Sequence, residues 1–517
     1  MLCGGEPYLV RRGPRANRIS LRRLHRRRPE ETILYQVVAE HWPAFRERAE
    51  EAGGLPRFVI DEFDAYLECG RLEAGCLHLV CRRCGHSMLV AFSCLRRGFC
   101  PSCLGRRMAD TAIHLERAVL PAVPIRHWLC SLPWGLRALL GYDRKLCSEV
   151  ASAFVGEMLR SLRRRAKRLL SLASVADAHP GAVAAVHRAD SALRLNVHFH
   201  VLALDGVYVR NDTTGSLVFH PLPTPTQAEV ADVARRTAAR IERLLRKHGR
   251  SIDPELADDN PHPLDLDDPA LAACYAAAAR GVGITGDRAG QPTLRLIFPE
   301  DAPRRTSTAD ADSPVAEVRG VNVHAKQMVD GRDRPRLQRL CRYITRPPLA
   351  QDRLTRRTDG LLQLELKRAW KDGTQALVFE PQELISRLIA MVPPPRAHQL
   401  RYWGILSSHS SRRAEVVPTP PADDAHQPAP AEGDQLELFD EDRTTAHTGT
   451  RHRWSFLLKH VFRADVEHCP RCGGPLRWAE FATGDALERL LVEHGLAPRA
   501  PPVHPVPVGQ LALPFAG

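Results

Sequence analysis

The sequence lacks long apolar segments. It contains no run of the roughly 18 to 20 apolar residues that a membrane-spanning helix needs, and its N-terminus has no apolar core of a signal peptide. We therefore expect a soluble, cytoplasmic protein without a membrane partner. Internal repeats are also absent. Since 517 residues exceed one ordinary core, we expect more than one domain.

Cysteine is too sparse for a disulfide scaffold. The chain has 14 cysteines among 517 residues, and several fall in C-x2-C pairs, which are typical of metal binding. Acidic residues are also the minority, because 60 Asp and Glu stand against 73 Lys and Arg for a net charge of +13. The arginines concentrate in 11–28, 160–168 and 332–346. Such local density suits phosphate contacts, so nucleic acid is the leading candidate partner.

The fold class predicted from the pattern is α+β, because predicted strands and helices interleave around a predicted antiparallel hairpin. The predicted units are a basic arm (1–30), a helical and zinc-ribbon DNA-binding domain (31–120), a larger domain (121–413) with an insertion at about 251–315, a disordered linker (414–450), a small C-terminal module (451–498) and a Pro-rich tail (499–517). Within the insertion, 251–270 is predicted to be exposed. The basic arm fits a solvated tail as well as a DNA contact.

Local patterns predict the elements of the larger domain. The predicted strands are 125–134, 182–188 and 317–324, and the predicted helices are 144–170, 226–248 and 334–345. Thr226 and Glu229 have capping-box spacing. Asp205-Gly206 predicts a tight hairpin turn after an apolar strand.

Two cysteine pairs predict a zinc ribbon. Cys81-x2-Cys84 and Cys100-x2-Cys103 have the spacing of two knuckles that share one Zn²⁺. The neighbouring Cys76, His78, His86 and Cys94 are predicted to be packing or surface residues. Six arginines suggest that the ribbon contacts DNA: Arg82, Arg83, Arg96, Arg97, Arg106 and Arg107.

A third pair, Cys469-x2-Cys472, has no partner pair downstream. His460 or His468 could complete a second zinc knuckle with it, and a reduced pair on a surface turn is the alternative.

Two histidines in one apolar strand are candidate metal ligands. In RLNVHFHVLAL, His198 and His200 occupy alternate positions, so both side chains leave the same face of the strand. Adjacent neutral imidazoles suit a divalent metal. A partly exposed pair without metal is the alternative.

A tyrosine lies on an arginine-rich helix. In RPRLQRLCRYITRPPL, the positions Leu337, Leu340, Cys341 and Ile344 form an apolar stripe, and Pro347 ends the helix. Tyr343 lies off that stripe, on the flank of Arg336 and Arg339 and near Arg346. Such a phenol could attack a phosphodiester while arginines hold the phosphate oxygens. An amphipathic tyrosine at a helix edge is the alternative.

Several segments together resemble one known family. They are RRPEETILYQVVAEHW, GLPRFVIDEFDAYLECG, FSCLRRGFCPSCLGRRMADTAIHL, LNVHFHVLALDGVY, LCRYITRPPLAQDRL, DGTQALVFEPQELISRLIAMVPPPR and RYWGILSSH. Over most of 28–480 the chain resembles rolling-circle insertion-sequence transposases, which have an N-terminal zinc ribbon and a histidine-hydrophobe-histidine nuclease domain. The flanking ribbon and the run after Tyr343 favour this family over plasmid relaxases and replication initiators, which share the chemistry.

The resemblance implies an activity and its residues. His198 and His200 would hold Mg²⁺ or Mn²⁺, with His187 as the candidate third ligand, and Tyr343 would form a 5′-phosphotyrosine link to single-stranded, hairpin-forming element ends. Some members carry a second tyrosine four residues later, where this chain has Pro347, so the one-tyrosine variant is expected. A zinc-ribbon DNA-binding regulator without nuclease activity is the alternative from another class.

Overall fold

The computed structural model describes residues 28–250, 263–284, 288–297, 313–419 and 465–496. Antiparallel sheets and flanking helices alternate along the chain, so the predicted α+β class is confirmed. Most of the predicted basic arm (1–27), almost all of the linker (420–450) and the whole Pro-rich tail (499–517) lie outside the described residues.

The elements of the described residues are numbered in chain order. The α-helices are α1 (Ile33–Glu51), α2 (Arg57–Glu68), α3 (Pro101–Ala118), α4 (Leu136–Tyr142), α5 (Arg144–Leu170), α6 (Gln227–Lys247), α7 (Pro263–Asp267), α8 (Pro269–Arg280), α9 (Arg334–Ile344), α10 (Pro381–Met391) and α11 (Gly484–Glu493). The strands are β1 (Cys76–Cys81), β2 (Ser87–Ala91), β3 (Ile125–Ser131), β4 (Gly181–Ala189), β5 (Leu195–Leu204), β6 (Gly206–Arg210), β7 (Leu217–Pro221), β8 (Leu294–Ile297), β9 (Val315–Val318), β10 (Val321–Val329), β11 (Leu354–Arg356), β12 (Leu362–Glu365), β13 (Thr374–Phe379), β14 (Leu400–Gly404) and β15 (Leu476–Ala482).

A six-stranded antiparallel sheet forms the centre of the larger domain. Its strand order is β14-β4-β5-β3-β10-β9. Strand β5 lies between β4 and β3, with Ala185 and Leu129 both opposite His200. Because side chains alternate along a strand, the sheet has two distinct faces. Both faces are covered, so the domain has a core on each side of the sheet.

One face of the sheet is covered by α3 and α9. The predicted apolar stripe of α9 is buried and packs with Leu202 and Leu204 of β5 in one cluster. Asp333 accepts a hydrogen bond from the backbone N–H of Arg336 and so caps α9, where Pro335 follows the first position. The prediction of a helix over 334–345 with that stripe is confirmed.

The opposite face packs against the long helices. Phe199 of β5 is fully buried there, in a cluster that includes residues of α5, α6, α8 and α10. Helix α5 has the predicted bounds, and Thr226 with Glu229 forms the predicted capping box of α6. The expectation that 251–270 is wholly exposed is wrong at its end, because Leu264 and Ala270 are buried.

The structure corrects one predicted turn and one predicted strand. Strand β6 pairs with β7 and not with β5, so Asp205-Gly206 is no tight hairpin. Asp205 is instead buried in an ion pair with Arg126. A Cβ on Gly206 would lie 2.3 Å from the carbonyl oxygen of His220, so only glycine allows the strands to approach this closely here. The predicted strand 317–324 is a hairpin, β9 and β10, whose turn residues Arg319 and Gly320 both have positive φ.

The C-terminal residues complete a sheet begun near the N-terminus. Strand β1 is the centre of a three-stranded sheet in the order β15-β1-β2, with Cys76 opposite Ala482 and Cys81 opposite Leu476. Helix α11 closes its core through Leu487, which is buried in a cluster with Leu72. Residues 465–496 thus pack on the zinc-ribbon region.

Membrane-spanning helices are not found in the described part of the chain, since none of its helices combines sufficient length with sufficient apolar character.

The buried ion pair between Arg126 and Asp205 gives a test of the central sheet. Asp205 accepts from Nε and Nη2 of Arg126 at 2.7 and 2.6 Å, and Arg126 also donates to the carbonyl oxygen of Ala325. Asp205→Ala should lower the free energy of unfolding by about 3 to 5 kcal/mol, because it leaves a buried cation unpaired. Chemical denaturation followed by circular dichroism measures this. Arg57→Ala, which breaks the exposed pair with Asp61, is the control and should change little. Equal stability of both variants would contradict the assignment.

Candidate active site and metal clusters

Three histidines on neighbouring strands form a candidate metal site. His198 and His200 lie on β5, and His187 lies on β4 directly opposite His198. One ring nitrogen from each lies within 4.8 Å of the other two. His200 is 1% exposed, and its Nε2 atom is buried without a hydrogen-bond partner. The predicted pair therefore leaves the same face, and the predicted third residue joins it.

Hydrogen bonds fix which nitrogen of each ring is available. Nδ1 of His198 lies 2.7 Å from the carbonyl oxygen of Asn196, and Nε2 of His187 lies 2.6 Å from that of Ile344. A carbonyl oxygen only accepts, so these nitrogens carry the protons. In the neutral rings, Nε2 of His198 and Nδ1 of His187 then keep lone pairs. This donor set fits a divalent cation.

Burial keeps the three imidazoles neutral. It lowers the pKa of His187 to about 3 and also lowers the pKa values of His198 and His200. The neighbouring imidazoles lower the pKa of His187 and His200 further, and so does the cation of Arg346. Neutral rings are the form that binds a metal.

A fourth histidine, which the sequence prediction missed, orients His200. Nε2 of His127 on β3 lies 2.9 Å from Nδ1 of His200, and the two rings are nearly parallel. Burial lowers the pKa of His127 to about 4, so it is neutral, and a side-chain hydrogen bond joins it to Gln327 on β10. A proton on Nδ1 of His200, donated to His127, leaves the orphaned Nε2 as the lone-pair nitrogen. In the sequence, the only indication of a role for His127 is its position in the predicted strand 125–134.

Tyr343 lies beside these histidines. Its ring centroid is 5.5 Å from that of His200 and 5.9 Å from that of His127, edge to face in both cases. The side chain is 40% exposed, so the phenol is accessible from solvent. The hydrogen bond from His187 to the carbonyl oxygen of Ile344 ties the end of α9 to the sheet. The tyrosine of the helix and the histidines of the strands thus form one site.

An open cleft of about 350 Å³ adjoins this site. It lies between the N-terminal half of α3 and strand β4 of the central sheet, and His187 and Arg346 line it. The other cationic residues of its wall are Arg97, Arg107, Arg188, Arg353 and Lys367, and Asp190 is the acidic residue. Burial lowers the pKa of Lys367, and the cations of Arg346 and Arg353 lower it further. The cleft is therefore electropositive.

The predicted phosphate-binding arginines are in different situations. The guanidinium of Arg346 lies over the ring of Tyr343, 4.3 Å from its centroid. Arg336 and Arg339 are exposed on α9. Arg97 and Arg107 line the cleft and donate to backbone carbonyls of Ala397 and Leu95. The half-buried Arg96 and Arg106 are not in its wall.

Four cysteines cluster between α2 and α3. They are Cys69, Cys94, Cys100 and Cys103. Their Sγ atoms are separated by 3.7 Å for Cys69 and Cys103, 3.7 Å for Cys69 and Cys100, and 3.4 Å for Cys94 and Cys103. Four thiolates around a tetrahedral ion with bonds of about 2.3 Å would lie about 3.8 Å apart. The cluster therefore fits one Zn²⁺.

The predicted pairing of the ribbon cysteines is wrong. Cys100 and Cys103 lie in the cluster between α2 and α3, whereas Cys81 and Cys84 lie in a second cluster with Cys469 and Cys472. Strands β1 and β2 lie between Cys69 and Cys94 in the sequence and pair with each other as a hairpin. Cys69 and Cys94, before and after this hairpin, therefore lie close to Cys100 and Cys103. Cys94 is thus a cluster member and not a packing residue. Cys76 is buried outside both clusters, as predicted.

Comparisons with known proteins find similar sequences in two segments of the chain. Residues 37–132 match a family described as transposase zinc-binding domain, and 181–414 match one described as putative transposase. The transposase for insertion sequence element IS801 of Pseudomonas savastanoi pv. phaseolicola is 21% identical over 364 residues, which cover 69% of this chain and 72% of that protein. No solved structure matches the chain.

Over these segments the chain is similar to insertion-sequence transposases, of which the IS801 enzyme is one. In this chain the zinc-binding match contains the whole cluster between α2 and α3, and the second match contains the three clustered histidines and Tyr343. Cys469 and Cys472 lie outside both matches. The two matched segments contact each other, because Arg334 of α9 donates to Glu116 of α3 at 2.6 Å.

The cluster between α2 and α3 makes a prediction about Cys94. Cys94→Ala should remove one zinc ion per chain and lower the melting temperature of the protein, because three thiolates no longer close the tetrahedral site. Cys76→Ala, which changes a buried cysteine of the same domain outside the clusters, is the matched control. Elemental analysis and thermal unfolding measure both effects. Full zinc content in Cys94→Ala would show that Cys94 is not a ligand.

Proposed function

We propose that this transposase cuts and rejoins single DNA strands through Tyr343. The observation that supports this is the position of an accessible phenol 5.5 Å, between ring centroids, from a buried histidine whose Nε2 has no partner. In the proposed step the Oη atom of Tyr343 attacks a phosphodiester phosphorus. A bond forms between Oη and phosphorus, and the bond from phosphorus to the 3′ oxygen breaks. The phenol proton is lost to solvent, and the leaving 3′ oxygen takes up a proton. The products are a 5′-phosphotyrosine link and a free 3′-hydroxyl.

His187, His198 and His200 are the residues that would hold a divalent ion. Such an ion, Mn²⁺ or Mg²⁺, would polarise the scissile phosphate. The protein contributes orientation: the carbonyl oxygens of Ile344 and Asn196, and the ring of His127, fix the three imidazoles. Three imidazole nitrogens suit Mn²⁺ better than Mg²⁺, which prefers oxygen ligands.

Arg346 and Lys367 are proposed to neutralise phosphate charge. Neither side chain makes a hydrogen bond or ion pair with another described residue. Arg346 already lies against the attacking side chain, where positive charge stabilises the transition state of phosphoryl transfer. The electropositive cleft would guide a single strand towards Tyr343. The substrates that we propose are single-stranded, hairpin-forming ends of the element.

Strand transfer follows from the same link. The phosphotyrosine bond conserves the energy of the phosphodiester, so attack by a 3′-hydroxyl reverses the step without ATP. Since Pro347 occupies the position one helical turn after Tyr343, the proposal is a one-tyrosine mechanism. The second strand is then cut by the same tyrosine after release, by another subunit or by another nucleophile.

The nucleophile is tested by removing one oxygen atom. Tyr343→Phe should abolish the covalent DNA adduct formed when the protein is incubated with single-stranded element ends and Mn²⁺, because the ring remains and only the attacking oxygen is lost. A denaturing gel measures the adduct. Tyr142→Phe, at the end of α4, is the matched control and should form as much adduct as the parent. If Tyr343→Phe forms as much adduct as well, another residue is the nucleophile. If no protein forms any, a DNA-binding role without cleavage gains support.

Metal binding gives a separate test. His198→Ala and His200→Ala should each weaken Mn²⁺ binding by about 10-fold or more and reduce adduct formation in parallel, since each removes one nitrogen ligand. The electron paramagnetic resonance signal of free Mn²⁺ measures binding without reference to activity. His409→Ala, an exposed histidine after β14, should bind as the parent does. Unchanged Mn²⁺ affinity in both site variants would contradict the proposed site.

A further inference from the structure

We propose that a second zinc ion joins the N-terminal sheet to the C-terminal module. Its ligands would be Cys81 and Cys84 from the N-terminal region and Cys469 and Cys472 from the C-terminal module. The zinc-binding match ends at residue 132 and the putative transposase match at 414. This site therefore includes a pair of cysteines that neither match contains.

The sulfur positions fit a closed tetrahedral site. Sγ of Cys81 lies 3.5 Å from Sγ of Cys472, and Sγ of Cys84 lies 3.7 Å from Sγ of Cys469. Thiolates that share one zinc with bonds of about 2.3 Å lie about 3.8 Å apart. All four cysteines are free thiols, so no disulfide competes for them. Four thiolates fill the coordination sphere, which makes the site structural and closed to substrate.

The two C-x2-C pairs have the same backbone conformation. In the first, the N–H of Cys81 donates to the carbonyl of His86, and the N–H of Gly85 donates to that of Cys81. In the second, Cys469 donates to Gly474, and Gly473 donates to Cys469. The glycine after each pair has a positive φ, 68° at Gly85 and 70° at Gly473. The pairs are thus two equivalent knuckles that face each other.

The knuckles are packed as closely as side chains allow. A Cβ on Gly474 would lie 2.8 Å from Cβ of Arg83 and 3.3 Å from Sγ of both Cys81 and Cys472. The N–H of Arg82 donates to the carbonyl oxygen of Pro475 at 3.3 Å. Glycine at position 474 therefore permits the approach that brings the sulfur atoms together.

Contacts away from the sulfur atoms hold the same arrangement. Strand β15 pairs along the whole of β1. The Oγ atom of Ser87 lies 2.6 Å from Nε2 of His78 and 2.8 Å from Nε2 of His494, so it bridges the two regions. The C-terminal module thus supplies an edge strand, half of a metal site and a helix to the N-terminal sheet. An ion shared in this way would close a very long loop of the chain. Closing a long loop strongly reduces the conformational entropy of the unfolded state and so stabilises the folded protein.

The shared ion would also combine charged residues from both ends. Arg82 and Arg83 lie in the first knuckle and Arg471 lies in the second, and all three are exposed. Arg477, on β15, is exposed as well. These side chains form one positively charged surface only when the two knuckles are joined.

Zinc content in paired variants tests the shared site. The full chain with Cys81→Ser and Cys84→Ser should lose one zinc ion relative to the parent, and so should the chain with Cys469→Ser and Cys472→Ser. The chain with all four substitutions should also lose one ion and not two. Cys147→Ser, which changes a partly exposed cysteine outside the clusters, is the control with unchanged content.

Other outcomes would overturn the proposal. Unchanged zinc content after substitution of Cys469 and Cys472 would show that the second pair binds no zinc, and a loss of two ions in the fourfold variant would show separate sites. A measurement on the parent protein guards against variants that fail to fold. With zinc bound, all four thiols should resist alkylation, and chelation should make them reactive together, as read by mass spectrometry. Reactive Cys469 and Cys472 in the zinc-loaded parent would contradict the shared site.

Discussion

The packing of α9 across one face of the central sheet is the constraint on which the candidate site depends. Side chains alternate along β5, so the even-numbered positions from His198 to Leu204 share one face. Leu202 and Leu204 pack with the apolar stripe of α9, while His198 and His200 continue the same face beyond that core. The apolar contact that folds the domain thus also brings Tyr343 to the histidines. The hydrogen bond from His187 to the carbonyl oxygen of Ile344 fixes the end of the helix where this happens.

The zinc-binding region supports the same helix through α3, which packs beside α9 on this face of the sheet. The cluster of Cys69, Cys94, Cys100 and Cys103 joins the end of α2 to the start of α3. Helix α3 then packs along α9, with Leu115 and Leu337 in one core, and Thr345 donates to the carbonyl oxygen of Met108. A structural zinc ion would therefore stabilise the wall of the cleft as well as the ribbon. Metal binding by these cysteines would thus affect the position of Tyr343 through α3 and α9.

The sequence predicted the local features because each depends on neighbouring residues. The capping box at Thr226, the bounds of α5, the stripe of α9 and the shared face of His198 and His200 follow from periodicity and spacing. Long-range partners could not be predicted in this way. C-x2-C spacing specifies a knuckle and not which knuckles share an ion, so Cys81 was assigned to the wrong partners. The local sequence does not indicate the observed roles of His127 and Asp205, because these roles arise from neighbours across the sheet or at its edge.

The most direct test of this account is to identify the residue that carries DNA after the reaction. Protein incubated with single-stranded element ends and Mn²⁺ is digested with a protease and a nuclease, and tandem mass spectrometry locates the residual nucleotide. The account predicts a phosphotyrosine linkage at Tyr343. A nucleotide attached to any other side chain, with Tyr343 unmodified, would contradict the central claim that α9 delivers the attacking oxygen to the histidine site.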